Sequence, residues 1–438
     1  MVVIILWGVG GNGADGADFQ ITELVLSPSF VGFGANVSPF VYCQPNDREI
    51  SERNIPDFEQ KVRDLGVQHV RVFIRPDWWD RDKDPSRAES VTRVCRLMQS
   101  VGASVNLTLW GGVHAAGEEM GRRTADVFGV LIKEQKLRCV QYATLQNEPN
   151  GFDMDKKVYA DLYRSFDAEL RRLGIRDQIK IIAGDLLSNN QQAWFDMLAR
   201  DLPTILDGYS VHLYSDYWNS AHIVQRIADV PAIVAGLPAA ARKPIYLMEF
   251  GVRGRRQPHE EPGLSLDGRP LYDLPMTGTL LAFHVIEAIN HGYVATCQWD
   301  LADILYDRSH MYYGVIGAPS TGFALKPCYY ALKLFTQSAG AGWSTLKVIG
   351  AADYRSVAAM RAPDGRLTIF AVNRSEESKS LSIAGLPADM QFHERIYNNY
   401  THGGLSHSWF AITPDSEHSI DISMPPLSVI ALTSLAGE

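Results

Sequence analysis

From residue 30 onward, short apolar runs alternate with stretches in which apolar positions recur every three or four residues. The runs are FVGFGANV, HVRVFIRP, SVNLTLWGG, YATLQNEP, IKIIAGDLL, GYSVHLY, IYLMEFGV and YVATCQWDL, eight in all. They end near Asn36, Arg75, Trp110, Glu148, Ser188, Tyr214, Glu249 and Trp299. Each is long enough for a buried strand and too short for a helix. The segments between them carry helix signals. In residues 54–66, Asn54 stands where an N-cap is expected and Pro56 falls in the first turn. Phe58, Val62 and Leu65 share a face, and Gly66 closes the segment. Residues 88–102 and 155–174 repeat this design and also end on Gly. Strand and helix alternating in this way predict parallel strands, and eight such units predict an α/β fold of the (β/α)8 TIM-barrel kind.

The period changes after residue 338. SVAAMRA, the Asp364-Gly365 turn and RLTIFAVN predict a β-hairpin, and IDISM and LSVIALTSL alternate in the same manner. A C-terminal antiparallel β-sandwich is expected over residues 339–438, docked on a catalytic barrel of residues 30–338. Residues 1–29 are expected to be a leader. Its apolar run of about seven residues is far short of the roughly 20 that cross a bilayer. It is a candidate signal remnant, with secretion or periplasmic export as the corollary if residues 1–18 are one. Gly8, Gly10 and Gly13 match a dinucleotide fingerprint, but no apolar-striped helix follows them.

Composition narrows the chemistry. The formal net charge is -9, which lacks the basic excess of a nucleic-acid partner. No stretch is long enough for a membrane span. The five cysteines include no C-x-x-C pair, so neither a zinc site nor a disulfide framework is expected, and buried free thiols are. No metal and no cofactor is called for, and the sequence assigns no oligomeric state.

The functional side chains of such a barrel gather at the C-terminal ends of its strands. Glu148 ends the fourth run and Glu249 the seventh, so the two carboxylates face each other across the mouth. Facing carboxylates suit glycosidic bond cleavage, one as acid and base, the other as nucleophile. Asn147 can donate to a sugar 2-hydroxyl. Tyr214 can bond to Glu249, His212 lies on the same strand face, and Arg71 supplies fixed positive charge. Trp299 offers an apolar platform, with Trp110 at the third strand end and Trp78 and Trp79 in the following loop of the second.

NEP on the fourth strand, H-x-Y on the sixth, EFG on the seventh and the strand-eight Trp together resemble clan A of the retaining glycoside hydrolases, families 39 and 5 above all. The resemblance covers residues 30 to about 335, and the trailing domain is similar to the accessory domain of family 39. It implies Glu148 as acid/base, Glu249 as nucleophile and a carbohydrate substrate. Family 5 usually has a His at the end of strand three, where this chain has Trp110. Three expectations follow. The bond cleaved is an O-glycosidic bond of a β-linked oligo- or polysaccharide or glycoside, by double displacement; the alternative is a carbohydrate-binding barrel without turnover. The carboxyl groups lie about 5–5.5 Å apart. Glu148 rests protonated and Glu249 ionised, because Arg71 and Tyr214 favour charge on Glu249.

Overall fold

The computed structural model describes residues 17–46, 50–80, 85–111, 116–257, 260–306, 309–310, 312–350, 354–398, 404–407 and 411–434; side chains at 220–221, 256–262, 309–310 and 407 fall outside the description. The fingerprint glycines and the first half of the expected leader therefore lie outside the described residues.

The first strand, β1 (Phe19–Ser27), is followed by β2 (Gly32–Val37), α1 (Ile55–Leu65), β3 (His69–Ile74), α2 (Ser86–Ser100), β4 (Ser104–Leu109), α3 (Gly117–Gly129), β5 (Val140–Thr144), α4 (Lys156–Arg172), β6 (Lys180–Leu186), α5 (Gln191–Asp201), β7 (Gly208–Asp216), α6 (Ser220–Gly236) and β8 (Ile245–Arg253). A short hairpin, β9 (Arg255–Gln257) and β10 (Glu260–Leu264), precedes α7 (Pro275–Asn290) and β11 (Ala295–Gln298). Strands β2 to β8 and β11 close into a parallel barrel of eight. Each predicted apolar run is thus a barrel strand. Their burial on both faces, by the barrel interior and by the surrounding helices, explains why they read as continuous rather than alternating.

Helix α1 shows the local logic and one departure from it. Ile55, Phe58, Val62 and Leu65 are its buried stripe. Gly66 takes φ 68, which a side chain resists, and its N–H returns to the Val62 carbonyl. Asn54, however, does not cap the helix with its side chain; its Oδ1 accepts from the Ser51 N–H at 2.8 Å instead.

After β12 (Leu305–Tyr306), β13 (Ser309–His310) and α8 (Pro327–Thr336), eight strands complete the chain: β14 (Ser344–Gly350), β15 (Arg355–Arg361), β16 (Leu367–Asn373), β17 (Lys379–Ala384), β18 (Phe392–Tyr397), β19 (Leu405–His407), β20 (Ser419–Met424) and β21 (Ser428–Ser434). They form a single sheet of nine strands in the order β19-β18-β21-β16-β15-β14-β1-β17-β20. The ninth member is β1, which pairs antiparallel with β14 and parallel with β17. This corrects the leader expected over residues 1–29: from Phe19 it is an inner strand of the accessory domain. Its partners lie more than 300 residues downstream, Phe19 facing Gly350, and local patterning carries no trace of such a pairing.

The sheet wraps its own apolar core, built from Phe19, Ile21, Leu346, Ile369, Ile383, Ile420 and Leu432 among others. Alternate residues of the same strands turn the other way and join the barrel core, as Phe370 does beside Phe33 and Phe335. Polar clasps add direction: Asn290 Nδ2 donates to the Val357 carbonyl, and Ser356 to the Glu287 carboxylate. The two parts are docked as one unit. All five cysteines are buried, and none forms a disulfide.

Candidate active site

The mouth of the barrel is organised around one cation. Arg71 on β3 is fully enclosed, and its neighbours are set by strand register. Parallel pairing places Asn36 and Asn106 beside it on β2 and β4. Its guanidinium donates to Asn36 Oδ1 at 2.8 Å, Thr108 Oγ1 at 3.0 Å, Glu249 Oε2 at 2.9 Å and Asp185 Oδ2 at 2.6 Å, and also to Asn147 Oδ1. The Asn36 amide N in turn donates to the carbonyls of Met248 and Gln298, which ties β2 to β8 and β11. Five donors in a rigid fork are what such convergence needs, and lysine could not supply them.

Glu249 lies on β8 opposite His212 of β7 in the register, and Tyr214 Oη donates to its Oε1 at 2.7 Å. Both oxygens of Glu249 are thus held, one by Arg71 and one by Tyr214. Glu148 is differently placed. Its strand stops at Thr144, and Glu148 stands in a tight turn with φ 47, closed by the Gly151 N–H to its own carbonyl at 2.9 Å. Proline at 149 fits the turn, and Asn150 fastens it: its side chain bonds to the backbone of Leu187 and Asn189. A left-handed glutamate is a costly conformation, and such strain collects at working sites. The turn aims Glu148 Oε1 at His212 Nδ1, 2.9 Å away.

Asp185 belongs to this network, and sequence reasoning missed it. Strand β6 is irregular between Ala183 and Leu186, where Gly184 takes φ 122 and Asp185 φ 45. A Cβ on Gly184 would meet the Ser210 carbonyl at 2.6 Å. The irregularity turns a carboxylate into the barrel interior, where it takes Arg71 on one oxygen and faces His212 Nε2 at 3.5 Å with the other. The available signal was a lone acid inside the apolar run IIAGDLL.

His212 is therefore set among three carboxylates, with Glu249 Oε2 3.6 Å from its Nδ1. Burial pushes its pKa down, but Glu249, Asp185 and the bond to Glu148 outweigh that and hold it at about 10. The imidazole is a cation at neutral pH. Burial pushes Glu148 up, yet the bond and charge of His212 and the charge of Arg71 bring it below the ordinary carboxylate value. Burial pushes Glu249 up too, and Glu148's charge adds to this against His212, Arg71 and Tyr214, so it rests above the ordinary value. The expectation that Glu148 rests protonated is thus corrected, and Glu249 is the less acidic of the two. The expectation counted the donors around Glu249 but not His212 at Glu148, nor the third carboxylate. The labile proton lies between His212 and Glu148.

Glu148, His212 and Glu249 present donor atoms within 4.8 Å of one another, close enough to ligate a cation. Arg71 and the His212 cation already face the three carboxylates, however, and one net negative charge remains. Such a site is fitted to stabilise a positive charge that develops transiently on a bound molecule.

The aromatic floor is continuous. Trp110 stacks on Phe73 at 5.3 Å, Phe73 meets Trp299 at 6.0 Å, and Tyr306 packs on Trp299 at 4.9 Å. Arg71 lies over the Phe73 ring at 4.5 Å. Trp78 is enclosed in the loop after β3. It is 4% exposed, packed against Phe40 and Arg87, so it secures the loop after β3 while the half-buried Trp79 is its more open neighbour.

No protein-family model matches the chain, and no curated protein matches it in sequence. Solved structures do match, along nearly the whole length. A glycoside hydrolase family 30 subfamily 8 xylanase from Clostridium acetobutylicum is 15% identical with a TM-score of 0.69, over 96% of this chain and 100% of that one. An α-L-arabinofuranosidase from Thermotoga maritima is 15% identical with a TM-score of 0.68, over 96% and 100%. An endo-β1,6-glucanase is 13% identical with a TM-score of 0.65, over 97% and 96%. At this identity the likeness shows the fold, and that fold includes both the barrel and the accessory sheet. The resemblance to clan A extends from four short motifs to the whole architecture.

Proposed function

We propose that the protein is a retaining glycoside hydrolase of clan A that cleaves O-glycosidic bonds of a β-linked oligo- or polysaccharide or glycoside. One observation carries this: Glu148 and Glu249, from opposite sides of a barrel mouth, bring carboxylate oxygens within 4.8 Å of each other. An inverting pair stands about 6.5–9.5 Å apart to admit water, and a retaining pair about 5–5.5 Å. The folds of a xylanase, an arabinofuranosidase and a glucanase leave the sugar open, since function resides in the site rather than the fold.

The geometry supports an asymmetric division of labour. Glu249 has both oxygens oriented by Arg71 and Tyr214, which suits a nucleophile that must meet an anomeric carbon in one direction. Glu148 shares a proton with His212. When Glu249 bonds to the anomeric carbon its negative charge disappears, and with it the largest attraction holding the proton on His212. The proton passes from His212 Nδ1 through Glu148 to the leaving oxygen, while the bond between that oxygen and the anomeric carbon breaks. In the second half, Glu148 takes a proton from water as the water oxygen displaces Glu249, and that proton returns to the pair. Asn147, fixed by Arg71, is placed for the hydroxyl next to the anomeric carbon, and Trp299 and Trp110 for the apolar face of the ring.

Proton NMR of the first product from an aryl glycoside tests the reading. The anomeric configuration is expected to be kept. Inversion rejects the double displacement, and binding without turnover over a chromogenic panel leaves the carbohydrate-binding barrel instead.

A further inference from the structure

Strands β5 and β6 deliver Glu148 and Asp185, and they part before either residue is reached. Their pairing places Tyr142 opposite Lys180 and Ala143 opposite Ile181, and goes no further among the described residues. Beyond that point no ladder joins them, yet both are buried, and buried N–H and C=O groups need partners. Two tyrosines of α4 supply these. Tyr159 and Tyr163 stand one turn apart on the same helix face, both fully enclosed, with ring centroids 4.9 Å apart. Tyr163 Oη accepts from the Leu145 N–H at 2.8 Å and lies 3.2 Å from the carbonyls of Leu145 and Ile182. Tyr159 Oη accepts from the Gly184 N–H at 3.1 Å and donates to Tyr163 Oη at 3.1 Å.

The protons of this bridge are all used. Each hydroxyl has one to give: Tyr159 gives its own to Tyr163, and Tyr163 shares its own between the two carbonyls. The platform is fixed as well. Asp155 caps α4 through the N–H groups of Lys157 and Val158, and Trp194 meets Tyr159 at a right angle, 5.1 Å away. What the hydroxyls hold is the approach to two carboxylates. Leu145 opens the segment that ends on Glu148, and the other edge of that segment is tied by the Asn147 N–H to the Leu109 carbonyl at 3.0 Å. Gly184 precedes Asp185, whose own N–H donates to Ser210 Oγ at 2.8 Å. Glu148 meets His212 at Nδ1 and Asp185 faces it at Nε2. One pair of hydroxyls therefore stands behind both carboxylates that flank the ends of the imidazole.

We propose that Tyr159 and Tyr163 are positioning residues for the acid/base half of the site: their hydroxyls bridge the gap between β5 and β6 and so keep Glu148 and Asp185 aimed at His212. The inference rests on the glycosidase reading above. The pair touches no substrate and acts through the backbone of Leu145 and Gly184. Glu249 is held from elsewhere, by Arg71 of β3 and Tyr214 of β7. Loss of a hydroxyl should therefore injure proton transfer more than nucleophilic attack. A displacement of about 1 Å can cost about 10²-fold, and positioned acid–base catalysis is itself worth about 10²- to 10⁴-fold. A purely structural pair would lower stability and treat both steps alike.

The test uses phenyl and 2,4-dinitrophenyl β-glucosides and β-xylosides with the wild type, Tyr163→Phe, Tyr159→Phe and the double variant, each assayed well below its thermal midpoint. Ile369→Ala, in the core of the accessory sheet, controls for lost stability alone. A phenyl group needs a proton to depart and a dinitrophenyl group does not. For Tyr163→Phe, kcat/KM should fall by about 10- to 100-fold on the phenyl glycoside and by less than about threefold on the dinitrophenyl one. On the latter kcat should fall, because hydrolysis of the glycosyl-enzyme still needs the base, and azide should raise it again with retained configuration. The double variant should be within about twofold of the worse single variant, since the hydroxyls act as a unit. Ile369→Ala should show neither the split nor the azide effect. If Tyr163→Phe does not fold, Tyr159→Phe decides, since it keeps every bond of Leu145: the split supports the role and its absence overturns it. Equal losses on both glycosides, a lowered midpoint with unchanged rates, or a split without the azide effect overturn the positioning role and leave the glycosidase reading standing. A wild type that turns over no aryl glycoside rejects the glycosidase reading, and the positioning role with it.

Discussion

In the accessory sheet the enclosed positions are Phe19, Ile21, Leu346, Ile369, Ile383 and Leu432. At the barrel mouth, enclosed as fully, they are Arg71, Asp185, His212 and Glu249. The first set stabilises the fold by about 1.5–3 kcal/mol for each large side chain taken from water. The second set does not stabilise in this way. Desolvating ions costs several kcal/mol each, and their mutual attraction little more than repays it. The sheet is where the chain gains stability, and the mouth is where it gives some up to hold charges in a fixed pattern. Substitutions should therefore have opposite signatures in the two places.

The largest effect expected is on turnover. Glu249→Ala should lower kcat by about 10⁴-fold or more on any glycoside, with little or no loss of stability, since a raised-pKa carboxylate is removed from a dry site. Glu148→Ala should keep formation of the glycosyl-enzyme from a dinitrophenyl glycoside, which needs no proton to depart, and then hydrolyse it slowly. Azide should rescue that variant with retained configuration, and give the inverted product with Glu249→Ala. The opposite pairing of products would exchange the two roles.

Next comes stability. Arg71→Met should cost about 3–5 kcal/mol in urea unfolding, because it leaves Asp185 and Glu249 buried without the guanidinium that pairs with both. Arg71→Met combined with Asp185→Leu should recover part of the loss and none of the activity. In the sheet, Ile369→Ala should cost about 2–5 kcal/mol and leave kcat/KM unchanged. If the double variant is no more stable than Arg71→Met alone, the charged mouth supports the fold more than this comparison allows.

The contrast also explains what was legible in the sequence. The eight barrel strands were, because apolar runs between amphipathic helices are a local signal. The meeting of Glu148 and Glu249 was, because each is a lone acid closing such a run on strands that face each other. Asp185 was not: its effect depends on a backbone irregularity at Gly184 that turns the side chain inward, and strand patterning assumes regular strands. The proton's place was not, because His212 was assigned to a face but its direction toward Glu148 comes from a turn two strands earlier in the barrel order. Which of Trp78 and Trp79 is the more enclosed was not, because two adjacent tryptophans give no sign of which one turns inward. Strand β1 was lost to the leader because its partners are distant in sequence.

The pH dependence of stability divides the regions again. His212 has a folded pKa of about 10 against 6.5 for the free group. A cation favoured by folding contributes fully below pH 6.5, and the contribution disappears as pH rises from there toward 10. Asp185 lies below the ordinary carboxylate value, pushed up by burial but brought down further by Arg71 and His212, so its contribution is present above about pH 4 and is lost in acid. Thermal midpoints of the wild type should fall between pH 6.5 and 10, and His212→Gln should remove most of that slope. Ile369→Ala should lower every midpoint by a similar amount and leave the slope alone. A His212→Gln curve parallel to the wild type would mean that His212 is neutral in the folded chain.

The smallest effect belongs to the edge of β1. Glu23 pairs with Arg361 of β15 through two hydrogen bonds, at 2.6 and 2.7 Å, and is one exposed polar link between β1 and the rest of the sheet, beside Thr22 Oγ1 donating to the Lys347 carbonyl. Glu23 is 82% exposed, so salt and water screen the pair. Its carboxyl is brought below the ordinary value mainly by the hydrogen bond from Arg361, a shift that exposure discounts as a source of stability. Glu23→Gln should therefore cost under about 1 kcal/mol, and less in high salt. Ile21→Ala, two residues earlier and facing the sheet core, should cost several times more. The two variants together decide how β1 is held. If Glu23→Gln loosens the strand as much as Ile21→Ala, measured by hydrogen exchange of the Val348 and Val25 amides, then a surface charge and not the apolar core fastens β1 to the last domain, and the division drawn between the two regions does not extend to β1.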